Sequence, residues 1–194
     1  MAEWTNLTTT SAVELAGQAE LQDPAAGLAE EGMRPESFVE RLQEEGLYSE
    51  AIAVMARALP TREAIGWACL CDRSTTPEDD DPRHAELLGA VEQWVREPTD
   101  EHRRAVLELA QDKPDQDAGQ MLGMATGYSA GKVKVGNNPP VDVPTDTIPP
   151  MIAGAVMIAA GRVEASEAEQ TRREFVQRAV EVAAGRSGRI PGDG

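Results

Sequence analysis

Cysteine is scarce in this chain. Cys69 and Cys71 stand alone, two residues apart, so no disulfide framework is available and the usage suits a reducing compartment. Positive charge is scarce too: 18 basic residues stand against 34 acidic ones, a formal net charge of -16. The acidic residues are spread over most of the sequence rather than gathered in a tail. A nucleic acid or an anionic membrane would meet a repulsive field, so neither is expected as a partner, whereas a basic protein is. Long apolar runs are missing as well. The longest strongly apolar stretch, Met151 to Ala160, is too short for a bilayer span, which takes about 20 residues. Met1 to Gly17 has neither a basic n-region nor an apolar h-region, so a secretory signal is not expected and the cytoplasm is the expected location. There is no sustained internal repeat and no heptad run long enough for a coiled coil.

What is present is helical period. A chain of 194 residues can bury a proper core, and apolar residues recur along it at a spacing near 3.6 with cap residues where helices should begin and end. The expected fold is all-α: one domain, a bundle of about eight helices interrupted by one long Pro-rich loop. Its main core covers residues 10–128, the loop 129–150, a C-terminal helix pair 151–185 and a mobile tail 186–194. Ser11 and Glu14 have capping-box spacing, Pro35 suits the first turn of a helix, and Gly46 suits its end. Tyr48, Ile52, Met55 and Leu59 form a stripe that Pro60 ends. Ala64 to Cys71 carries no charge on any face, which predicts a central helix, with a turn from Asp72 to Asp81 after it. Gly66 inside it suggests close approach of another helix.

Asp81 and Pro82 open the next helix, Pro98 and Thr99 another, and Asp115 is the expected cap of a third. In that third helix Gly119, Gly123 and Gly127 recur at i,i+4 and predict a groove where two helices touch. Met151 to Ala160 is again uncharged, and Ser166 with Glu169 has capping-box spacing ahead of a last helix that Gly185 ends. The two uncharged segments are expected to pack on one another or on a shared neighbour, with Ile65, Trp67, Cys69, Ile152 and Val156 in the core.

No motif survives its context. Gly127-Tyr128-Ser129-Ala130-Gly131 matches the G-x-S-x-G nucleophile elbow, but a helical segment precedes it and both histidines, His84 and His102, come before the serine. Gly127 to Lys132 is one residue short of a phosphate loop, and Val133 stands where a hydroxyl should hold magnesium. Cys69 and Cys71 would point about 200° apart on a helix, a poor start for a zinc site. The acidic run Glu78 to Asp81 lacks the glycine and distal glutamate of a calcium loop and reads as the solvated start of a helix. No catalytic residue, metal ligand or cofactor site is therefore assigned. Trp67 and Trp94 read as core residues.

Leu59-Pro60-Thr61-Arg62-Glu63-Ala64-Ile65-Gly66-Trp67-Ala68-Cys69 resembles the signature of an uncharacterised bacterial domain family, in which a Leu-Pro, an Arg-Glu pair and a Trp-Ala-Cys helix recur. The resemblance implies an association with type VI secretion gene clusters and brings no catalytic residues.

Residues 129 to 150 read as an exposed extended segment, because Pro139, Pro140, Pro144, Pro149 and Pro150 exclude helix and interior strand. Prolines also restrict the unfolded ensemble, which favours docking along a surface, on this protein or on a partner, with a passive spacer between the helical core and the final helix pair as the alternative. Val133, Val135, Val141 and Val143 alternate with polar residues, so Lys132, Lys134 and Asp142 are expected to face solvent. The partner-binding candidates are Lys132, Val133, Lys134, Val135, Pro139, Pro140, Val141 and Val143. The expected function is a non-enzymatic helical adaptor or chaperone-like accessory protein with a protein partner. An enzyme using carboxylates without a readable motif and an acidic mimic of nucleic acid are the rivals.

Overall fold

The apolar period is realised as helix along most of the chain. The computed structural model describes residues 4–5, 7–77, 81–112, 117–133, 139 and 141–186. Among them nine α-helices form: α1 (Ala12–Gln18), α2 (Pro35–Glu44), α3 (Tyr48–Ala58), α4 (Thr61–Thr75), α5 (Pro82–Arg96), α6 (Asp100–Asp112), α7 (Ala118–Tyr128), α8 (Ile148–Ala160) and α9 (Ala168–Ala183). Two two-residue strands, β1 (Lys132–Val133) and β2 (Val141–Asp142), pair antiparallel between α7 and α8. Ser11 caps α1 by accepting from the Glu14 amide, and Asp81 caps α5 by accepting from Arg83. At the end of α2, Gly46 takes φ +72°, its amide donates to Gln43 and the Leu47 amide donates to Leu42. That pair of bonds is a Schellman ending, for which a residue without Cβ is best suited.

α8 is the centre. It carries no charge, and it lies against α3, α4, α7 and α9. A helix apolar all round is stable only when neighbours cover every side. α4 packs along it through its own uncharged stretch, with Ile65, Trp67, Cys69, Ile152 and Val156 all buried. Each large apolar side chain so enclosed contributes about 1.5–3 kcal/mol. The Trp67 indole N–H donates to the Phe175 carbonyl at 2.9 Å, which ties α4 to α9 and satisfies the polar atom of that ring.

The repeated glycines of α7 face α5 and α6. A Cβ on Gly123 would lie 2.7 Å from the Ala110 Cβ, and one on Gly127 would lie 2.6 Å from Leu107 Cδ1. Gly66 lets α4 approach Val95 of α5, its virtual Cβ standing 3.2 Å from Cγ1.

Four local expectations need correction. Asp72 does not open a turn, because α4 continues to Thr75 and leaves Asp72 buried in its last turns. Pro149 and Pro150 do not exclude helix: they occupy the first turn of α8, where their missing amides would have had no helical partner. The loop thus ends before Ile148 and carries the β1–β2 ladder and a 3-10 turn at Thr145–Thr147. Ser166 makes no cap, since α9 starts from Glu167 with no side-chain cap bond. The expected cap Asp115, the acidic residues 78–80 and the tail beyond Arg186 lie outside the described residues, and Asp117 caps α7 instead.

Candidate functional site

Two places concentrate features that packing alone does not require. The first is a set of charged side chains at one end of α4. Asp72 follows Ile65 and Ala68 along the buried face of that helix, so the backbone carries its carboxylate into the interior. His84 in the first turn of α5 shares a stripe with Leu87, Leu88 and Val91 and enters from the other side. Gly119, in the first turn of α7, leaves room for the imidazole, since a Cβ there would sit 2.7 Å from Nδ1. Arg162 arrives from the turn after α8.

The bonds are dense. His84 Nε2 lies 2.7 Å from Asp72 Oδ2, and Nδ1 lies 3.2 Å from Asp117 Oδ2. Asp117 uses its other oxygen to accept from the Gln120 amide at 2.8 Å, so one carboxylate caps α7 and binds the imidazole. Arg162 donates from one nitrogen to Asp72 Oδ1 at 2.5 Å and to Thr76 Oγ1 at 3.0 Å, while the Thr76 hydroxyl donates to the Asp72 carbonyl at 2.7 Å. The hydrogen bond to Asp117, and next that to Asp72, push the His84 pKa up to about 9, against a smaller opposing effect of burial. At neutral pH the ring is an imidazolium that donates from both nitrogens.

This arrangement decides what the cluster can do. An imidazolium with both N–H groups bonded has no lone pair to take a proton, and the side chains of His84 and Asp72 are each 1% exposed. The cluster acts as a clamp joining α4, α5, α7 and the end of α8. A similar logic holds on the flank. Arg73 forks onto buried Glu92 at 2.6 and 2.7 Å, and Arg103 bridges Asp100 and the Gly127 carbonyl. Among the described residues no group of three or more His, Cys, Asp or Glu side chains is placed to hold a metal ion. Cys69 and Cys71 are free and buried, and burial raises both thiol pKa values.

The second place is the arm between α7 and α8. Gly131 at φ +72° turns the chain out of α7, its carbonyl accepts from the Val143 amide at 2.9 Å, and Ile148 is buried at the start of α8. Between these anchors Lys132 pairs with Asp142 and Val133 with Val141 across the ladder. Lys132, Pro139, Val141 and Asp142 are exposed, while Val143 is half-buried. The structure therefore brings Lys132, Val133 and Val141 together on one small ladder, with Val143 bonded to Gly131 just beyond it. Lys134, Val135 and Pro140 lie outside the described residues. Val141, at 59% exposure, does not rest in a groove of this chain.

The clamp was missed in the sequence although two of its members had a signal. Asp72 continues the buried face of an uncharged helix, and His84 lies on an apolar stripe; charge in either position requires a buried partner. Arg162 and the choice of Asp117 over Asp115 had no such signal.

No helix among the described residues is long and apolar enough to cross a membrane. Comparison with curated proteins and with solved structures gives no match. Residues 38–183, from within α2 to the end of α9 and including the whole clamp and the arm, match the family of unknown function DUF6931, and the chain belongs to that family.

Proposed function

We propose that the chain is a non-enzymatic, protein-binding helical adaptor of the chaperone-like accessory kind, acting in the cytoplasm beside a type VI secretion apparatus. The observation that carries the adaptor reading is Val141, a large apolar side chain held open to solvent on a ladder that leaves α7 at Gly131 and returns to the core at Ile148. Among the described residues each strand of this two-stranded ladder has one edge without a strand partner, and such an edge can accept an extended segment of another protein through backbone bonds while a valine fills a pocket on it. The resemblance carried by Leu59 to Cys69 supports the place beside the secretion apparatus, and the two free thiols suit a reducing compartment.

A photo-crosslinking residue placed at position 141, in cells that express the secretion apparatus, tests this directly. Val13 is the other large apolar side chain exposed among the described residues, so the same residue at position 13 controls for general stickiness. A discrete adduct with a secretion component at 141 and none at 13 is expected. Equal labelling at both positions, or none at 141, would overturn the reading.

A further inference from the structure

A different surface has the makings of a second docking site. α2 and α9 both pack on α3 and leave a groove of about 220 Å³ between them. Its apolar lining comes from Val39, Val180, Ala184 and the indole of Trp4. Trp4 is fixed there by two backbone bonds: its amide donates to Glu36 Oε1 at 3.1 Å, and the next amide, of Thr5, donates to the Ala183 carbonyl at 3.2 Å. Trp4 and Thr5 thus bridge the two helices beside the groove.

Carboxylates stand on both walls. Glu36 is already neutralised by Arg34 at 2.8 Å. Glu40 on α2 and Glu181 on α9 are exposed, line the same groove and have no ion-pair partner among the described residues. Arg186 is the cation of the lining and lies past the end of α9. A groove this small falls below the volume usual for small-molecule sites, about 300–1,000 Å³, and suits one anchoring side chain. Apolar walls with open carboxylates above them match a long aliphatic stem that ends in a cation, and the chain's net charge of -16 draws a basic partner toward it.

We propose that the α2–α9 groove docks a basic, amphipathic segment of a partner protein, with an arginine stem lying along Val180 and Ala184 and its guanidinium held by Glu40 and Glu181. Arginine fits better than lysine because its planar fork serves two carboxylates at once and is less strongly hydrated. The groove is separate from the arm and keeps this role whether or not the arm captures a partner.

The experiment titrates the full-length, nitrogen-15-labelled protein with an acetylated, amidated Ala-Leu-Arg-Ala-Leu-Arg-Ala peptide. Two control peptides carry citrulline or glutamate in place of both arginines. The Trp4 indole N–H resonance is assigned by Trp4→Phe. Saturating shifts at that indole and at the amides of Val39 and Val180 are expected with the arginine peptide. Glu40→Gln and Glu181→Gln should each weaken binding by about 1.5-fold to fivefold, as expected of a solvent-facing ion pair, and added salt should weaken it further. Shifts that never saturate and spread over all acidic faces would overturn the proposal. So would equal affinity for the citrulline peptide, or affinity untouched by both glutamine variants. Concentration-dependent shifts at Trp4 without peptide would give the groove to a second copy of the chain. Binding that occurs only after removal of residues 187–194 would give it to the chain's own end.

Discussion

Asp72 and Asp142 each face a cation, in opposite surroundings. Asp72 accepts from Arg162 at 2.5 Å and from His84 at 2.7 Å inside the bundle. Asp142 stands 3.6 Å from the Lys132 ammonium on the arm, with 84% and 71% of the two side chains in water. An exposed pair gains little because water solvates both charges almost as well as they solvate each other, and contributes about 0–1 kcal/mol. A buried pair gains little over an apolar pair of the same shape, but losing one member strands the other charge away from water, at about 3–5 kcal/mol. The end of α4 is therefore fixed in one arrangement, whereas the arm's ion pair can be exchanged for water at small cost.

The comparison breaks most readily at Asp72. Asp72→Ala should lower unfolding free energy by about 3–5 kcal/mol in chemical denaturation, with an unchanged denaturant slope if the fold persists. A loss below about 1 kcal/mol would mean that water reaches Arg162 and His84 and that the two regions do not differ. Asp72→Asn should recover part of the loss by keeping one acceptor for the imidazole.

Proton linkage gives the next largest effect. The folded pKa of His84 is raised to about 9 from an ordinary 6.5, so its contribution is fully present below pH 6.5 and is lost as pH climbs through 9. The full contribution is about 3 kcal/mol by the usual conversion of a pKa difference. Melting temperature should fall across that window in the parent chain, and His84→Gln should flatten the fall. An equally steep fall in the variant would assign it to other groups.

The smallest effects sharpen the other half. Asp142→Ala and Val141→Ser should each change stability by no more than about 0.5 kcal/mol, because both side chains are exposed. Val141→Ser should nonetheless abolish the crosslinked adduct when the photo-reactive residue is moved to position 139.

The helices were legible in the sequence through apolar spacing, uncharged runs and cap residues, and α8 shows where composition misleads. Pro149 and Pro150 look like breakers by composition, but in the first turn of a helix the lost amides have nothing to lose. Asp72 failed for a related reason. A lone carboxylate after an uncharged run reads as the end of burial even where it continues the buried face, and its partners, His84 and Arg162, 90 residues on, are visible only in the fold. Long-range pairing of charges leaves no periodic trace. The glycines of α7 were readable as helix contacts because an absent side chain every fourth residue is itself periodic. The ladder on the arm was not, since two residues per strand are too few for alternation to be distinguished from chance.

The two thiols of α4 give the molecule a built-in clock. Cys69 and Cys71 point to different sides of that helix, and each is held protonated and out of reach by its surroundings. An alkylating reagent in solution can meet either sulfur only after α4 has parted from its neighbours. The rate at which each thiol is consumed under native conditions therefore counts openings of the bundle, one reading per side. If the two rates coincide, the core opens as a unit; if Cys71 is consumed first, one flank leaves before the rest.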